Sequence, residues 1–209
     1  FAEHTLGVKL YPGQVEALNA YYESGKPNWL LLSGRRGGKS LLSDIITVYE
    51  AVIPNLDQYI RPGEERYVLM VSVREDSARV HIRQITKLLR HTKALSNMIQ
   101  AVKEDRVELK NGVIILSLPA SARAARGYTA STLVMDEAAF FVDTLGNSSA
   151  EAIFTALSPT TATFGDDARL VITTSVNAKV GLVYELYDRA IQGDLEDWHV
   201  TKSATRELN

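Results

Sequence analysis

A mainly parallel α/β sheet flanked by helices is the fold that three observations in the sequence predict. Short apolar runs of strand character alternate with stretches of helical periodicity along most of the chain. A glycine-rich turn joins the first strong run to the first strong helix, and two adjacent acids close a later apolar run. The size fits as well: 209 residues with 45% hydrophobic content build one compact core with a small appended lobe, and fall short of two full domains.

In chain order, Asn28–Ser33 reads as a buried strand feeding a Gly/Arg-rich loop. From Lys39 to Val52, the residues Leu42, Ile45, Ile46, Tyr49 and Val52 recur at helical spacing, and Pro54 ends the helix. After the turn at Arg61, Pro62 and Gly63, a second strand over Tyr67–Val73 precedes a long helix from about Glu75 to His91. Arg106–Leu109 and Val113–Leu118 flank Asn111-Gly112, the dipeptide that favours a tight hairpin. Ser131–Met135 reads as a strand, Ala150–Leu157 as a helix and Arg169–Thr174 as a strand. Leu182–Ile191 then reads as a helix before a short run at Trp198–Thr201. The expected division is a core over 1–178 and a small lid over 179–209. Because the chain opens at Phe1 rather than methionine and closes in the polar stretch Ser203–Asn209, we expect a piece of a longer protein.

Composition narrows the function classes. There is no cysteine, so disulfides, thiol nucleophiles and cysteine metal sites are excluded, which fits a reducing cytosolic setting. No apolar run approaches the roughly 18 residues of a membrane span, and Phe1, Ala2, Glu3, His4 is no export signal. A formal charge of -2 gives no global basic field, so any nucleic-acid contact must come from a local patch.

The first chemical motif is Ser33-Gly34-Arg35-Arg36-Gly37-Gly38-Lys39-Ser40, placed between strand and helix where a phosphate loop belongs. Glycine lets consecutive N–H groups curl around phosphate oxygens, and the positive end of the following helix faces the same anion. Lys39 can reach the β and γ phosphates of ATP, and the Ser40 hydroxyl is spaced to ligate Mg²⁺. Ser33 stands where the general pattern has its first glycine. The second motif is the strand Leu133-Val134-Met135 running into Asp136 and Glu137. Ligands of parallel sheets sit beyond the carboxyl ends of strands, so this pair faces the same crevice. Asp136 would hold Mg²⁺, and Glu137 would orient and deprotonate the attacking water. Acids after an apolar strand also serve as helix caps, and the phosphate loop is what favours chemistry. Thr173, Thr174 and Ser175 close a third strand; in an additional-strand, catalytic-glutamate P-loop NTPase that strand lies between the other two and brings Thr174 to the nucleotide.

Together, the arginine-bearing loop, the acid pair and the Thr-Thr-Ser strand end resemble the ATPase domain of tailed-bacteriophage large terminases. The resemblance spans Tyr11 to Ser175. It implies an ATP-hydrolysing motor that drives double-stranded DNA into a procapsid, in a homo-oligomeric ring, a pentamer on the portal, with portal protein and small terminase subunit as partners. It also implies a place in the cytoplasm of the infected host, no membrane, and no stable part in the mature virion. The family's carboxy-terminal nuclease has no counterpart here. Leu10-Tyr11-Pro12-Gly13-Gln14 resembles the family's adenine-recognition segment, with Gln14 as the amide that reads the base. Arg126 matches the position of an arginine finger acting on a neighbouring subunit, with Arg123 as runner-up.

A DNA track is suggested by Arg79, Arg83, Lys87 and Arg90, which form one stripe on the long helix. Such a stripe also fits a solvated or subunit-facing surface. Two rival functions share the motifs. One is a helicase-like DNA-dependent ATPase, which should carry different downstream motifs or a second lobe; the other is a nucleotide-binding switch, against which Glu137 argues.

Overall fold

The computed structural model describes residues 1–121, 127–142, 145, 149–176 and 179–208. Eight strands form one sheet: β1 (Asn28–Ser33), β2 (Arg66–Ser72), β3 (Ile99–Val102), β4 (Arg106–Leu109), β5 (Val113–Pro119), β6 (Ala130–Asp136), β7 (Arg169–Thr174) and β8 (Trp198–Ser203). Their order across the sheet is β3-β4-β5-β2-β6-β7-β1-β8. The strands from β5 to β8 in that order are parallel, while β4 runs antiparallel to both β3 and β5. The expected hairpin is therefore present, with Gly112 at φ 80° in its turn.

Period-two alternation divides the side chains between two cores. Leu31, Met70, Ile115, Val134 and Val171 face one side. There they pack under α1 (Pro12–Glu23), α2 (Lys39–Val52) and α3 (Glu75–His91). Leu30, Leu69, Leu116, Met135 and Ile172 face the other, under α5 (Ala150–Leu157) and α6 (Leu182–Gln192). The result is three layers, α/β/α, with both sheet faces covered, as the continuous apolar runs in β1, β2 and β6 require.

Helix α1 went unread in the sequence, as did three shorter pieces. Helix α4 (Lys93–Met98) and β3 are too short for a periodic signal, and α7 (Thr205–Leu208) is a single turn. The expected lid boundary also changes. β8 pairs with β1 in parallel register from Asn28↔Trp198 to Ser33↔Ser203, so the segment 179–209 supplies the edge strand of the main sheet. Leu208 of α7 is buried in the same core as α1 and α2. Leu208→Ala is expected to cost about 2–5 kcal/mol, read as a lower urea midpoint, because the cavity would open against that core.

Candidate functional site

The loop from Ser33 to Ser40 is shaped by two left-handed residues, Arg36 at φ 65° and Gly38 at φ 80°. Gly38 is the residue before α2, so the free amides of the first helical turn open toward the loop. Space is tight there: a Cβ at Gly38 would lie 2.4 Å from Gln14 Nε2, and one at Gly34 would lie 2.1 Å from Thr205 Oγ1, so either neighbour would have to shift. Arg35 and Arg36 are exposed, whereas Lys39 is buried. The Lys39 ammonium folds back across the loop, donating to Gly34 O at 2.9 Å and Ser33 O at 3.4 Å.

The sheet order brings the acids to this loop. β7 lies between β1 and β6, as the additional-strand class requires, so all three strand ends converge on one crevice. Lys39 Nζ lies 3.5 Å from Glu137 Oε1. Ser40 Oγ donates to Asp136 Oδ2 at 2.9 Å. Glu137 takes the left-handed conformation, φ 56°, immediately after β6. Among the described residues, Arg36 and Glu137 are the non-glycine residues with positive φ, a strain that persists only where the surrounding structure holds it. The Glu137 carboxylate accepts from Ser175 N at 2.9 Å, Ser175 Oγ at 3.2 Å and Thr174 Oγ1 at 3.5 Å. Thr174 Oγ1 also accepts from Ala139 N at 3.2 Å, which fixes the turn that carries Glu137.

Asp136 is the hub. Thr173 Oγ1 donates to its Oδ1 at 2.6 Å and Ser43 Oγ approaches the same oxygen at 3.4 Å. His81 Nε2 meets Oδ2 at 3.1 Å, and His81 Nδ1 meets Asp44 Oδ1 at 2.6 Å. Burial would lower the His81 pKa, but hydrogen bonds and charge from Asp136 and Asp44 outweigh it and push the imidazole up to about 10. Burial pushes Asp44 up to about 6 against the pull of His81. Burial would likewise raise Asp136, yet His81, Thr173 and Ser40 hold it below the usual carboxylate range. At neutral pH the cluster is an imidazolium between two carboxylates.

Gln14 reaches the loop in a way the sequence did not show. Its Nε2 donates to Gly37 O at 3.2 Å and its Oε1 accepts from Tyr11 N at 3.2 Å, so it ties the start of α1 to the loop. Adenine recognition by Gln14 would require those bonds to be exchanged. The basic stripe is also altered. The Arg79 guanidinium is engaged by Glu75 at 2.7 Å and Glu104 at 3.0 Å, two carboxylates that neutralise it, leaving Arg83, Lys87 and Arg90 exposed. Arg126 and Arg123 lie outside the described residues.

Sequence reading missed Ser43, Asp44, His81 and Thr205. The first two had a signal: they stand three and four residues after Ser40, hence on its helical face. His81 stands on the apolar face of α3 with Ala78, Ile82 and Ile85, where a buried imidazole demands partners. Thr205 had none, because its bond to Arg35 O at 3.0 Å joins residues 170 apart in sequence.

No known protein-family model and no curated protein matches the chain. Solved structures do share its fold. The large terminase of bacteriophage HK97 superposes with a TM-score of 0.73 at 16% identity over 93% of this chain, which spans 39% of that protein. A point mutant of the large terminase ATPase domain of Thermus phage P74-26 gives 0.69 at 15% identity, covering 99% of this chain and 86% of that domain. The large terminase of a further thermophilic bacteriophage, solved in complex with ADP, gives 0.70 at 14% identity over 96% of this chain and 46% of its own. The chain thus spans less than half of the first and third of these proteins, and 86% of the isolated ATPase domain. What these structures share with the chain is the fold, a mainly parallel sheet between two layers of helices.

Proposed function

We propose that this chain is the ATP-hydrolysing motor domain of a viral large terminase, using ATP turnover to drive double-stranded DNA into a procapsid. The observation that carries this reading is the meeting of two separate sequence motifs in one crevice: Lys39 against Glu137 at 3.5 Å, and Ser40 against Asp136 at 2.9 Å. The terminase fold of the solved neighbours supports the choice of motor over switch.

The residues divide the work. Loop amides around Gly37 and Gly38 and the Lys39 ammonium bind the triphosphate and offset its charge. The donors at Ser40 and Asp136 suit Mg²⁺: a hydroxyl and an ionised carboxylate are hard oxygens, and this ion takes few protein ligands beside phosphate and water. Bound there, Mg²⁺ would neutralise charge on the β and γ phosphate oxygens. Glu137, held by Thr174 and Ser175, accepts the proton of the water whose oxygen attacks the γ phosphorus as the bond to the bridging oxygen breaks, giving ADP and phosphate. Arg126 would supply positive charge to the site of an adjacent subunit. On this reading the partners are duplex DNA, a homo-oligomeric ring, portal protein and small subunit, and the work is done in the host cytoplasm.

The test is steady-state ATP hydrolysis with and without duplex DNA. Turnover that rises with DNA and is lost in Lys39→Ala is expected; no hydrolysis by the wild type, or hydrolysis indifferent to DNA, would overturn the proposal. For the track, Arg83→Glu with Lys87→Glu is expected to weaken DNA binding at all sequences alike. The slope of log affinity against log salt should flatten by about two, from the loss of two phosphate contacts at about 0.9 each. An unchanged slope would remove these residues from the track.

A further inference from the structure

Asp136 is gripped from three elements. Ser40 and Ser43 reach it from α2, Thr173 from β7, and His81 from α3. Its Oδ2 is shared by Ser40 and His81. A metal held by Ser40 and Asp136 would take the place of the Ser40 bond, which would leave His81 as the described protein donor on that oxygen. His81 is 5% exposed and is itself braced by Asp44, so it has little freedom to follow Asp136 without moving its helix.

The outer face of the same helix carries exposed cations. At about 100° per residue, Arg83, Lys87 and Arg90 stand roughly 160°, 120° and 180° around α3 from His81. Arg83 is two residues from His81 along a continuous 17-residue helix, whose Ile82, Ile85 and Leu89 lock it to the core. A polyanion seated on that face and the carboxylate beneath it are thus on opposite sides of one rigid rod. An interior this closely packed transmits a shift of the rod rather than absorbing it.

We infer that His81 is a positioning residue that couples α3 to the metal-holding carboxylate Asp136, so that duplex DNA on the outer face of α3 adjusts the geometry of the metal site. This rests on the motor reading above. It adds the route by which the track could report to the chemistry, and it places the coupling in a residue that need touch neither nucleotide nor DNA.

Linkage makes the idea measurable: if DNA alters metal affinity, metal alters DNA affinity by the same factor. Mn²⁺ serves as the probe, with ADP, and its binding is followed by the electron-spin signal of the free ion with and without a random-sequence DNA duplex. The wild type is expected to show a change of roughly fivefold or more on adding DNA. His81→Asn, whose shorter amide keeps the Asp44 side and loses the Asp136 side, should show less than about a twofold change, and His81→Gln, whose amide reaches toward the Nε2 position, should recover most of it. A merely structural role would lower thermal stability in both variants without separating them. If His81→Asn retains the full response, or the wild type binds ADP, Mn²⁺ and DNA with no mutual effect, the inference is wrong while the motor reading stands. If the wild type binds no nucleotide, the motor reading falls first. Should His81→Asn not fold, the imidazole nitrogen resonances of His81 in the wild type decide: they are expected to move when DNA is added in the presence of ADP and metal, and resonances that stay in place overturn the coupling.

Discussion

Glu137→Gln is expected to lower ATP turnover by about 10²- to 10⁴-fold while leaving nucleotide affinity within a few-fold. The amide keeps the shape of the side chain and can still lie against Ser175 N and Ser175 Oγ, which are 2.9 and 3.2 Å from the carboxylate. What it lacks is a basic oxygen for the proton of the attacking water. A single-turnover assay beside a nucleotide-binding titration separates the two effects, and turnover that stays near the wild-type rate would show that another group is the base. The same variant tests the arginine finger. Mixed with Arg126→Ala, it is expected to regain part of the activity where subunits form mixed rings, because each subunit would contribute the group its neighbour lacks.

Asp44→Ala is expected to cost about 3–5 kcal/mol, because it leaves the His81 imidazolium buried with one carboxylate instead of two. The fully buried Asp44 has no other route to solvent, and its Oδ2 already lacks a partner among the described residues. Acidity gives a second readout in metal-free buffer. The folded pKa of His81, about 10, lies above its ordinary value of 6.5, so the stabilisation it brings is complete below about 6.5 and is lost as pH rises through about 10. Wild-type stability to urea should therefore fall between about pH 7 and about pH 10 more than that of His81→Gln, which has no imidazole to titrate. Equal slopes in the two proteins would mean that the imidazole is not held charged by its two carboxylates.

Much of the fold was legible because its signals are local. Runs such as Leu30-Leu31-Leu32 and Leu133-Val134-Met135 announce strands covered on both faces, and the spacing of Leu42, Ile45 and Ile46 announces the helix after the loop. The Gly/Arg-rich loop and the adjacent acids stood out for the same reason, since each is a short run with its own backbone logic. The lid boundary was not. The run at Trp198 looks like a terminal fragment until β1 is seen to need a second parallel neighbour, a requirement no local window contains. His81 was hidden too: the apolar face of α3 reads as core, and Asp136, which gives the imidazole its purpose, lies 55 residues away in sequence. The Arg79 ion pairs were half visible, as Glu75 is one helical turn away while Glu104 arrives from beyond α4.

Arg36 and Glu137 hold a backbone shape that glycine would adopt at no steric cost. Glycine at Glu137 would relieve that strain, yet it would leave the buried Lys39 ammonium without this carboxylate and Ser175 N without its acceptor. The twist in the chain is thus held by the bonds its own side chain makes, and the same bonds aim the proposed proton acceptor.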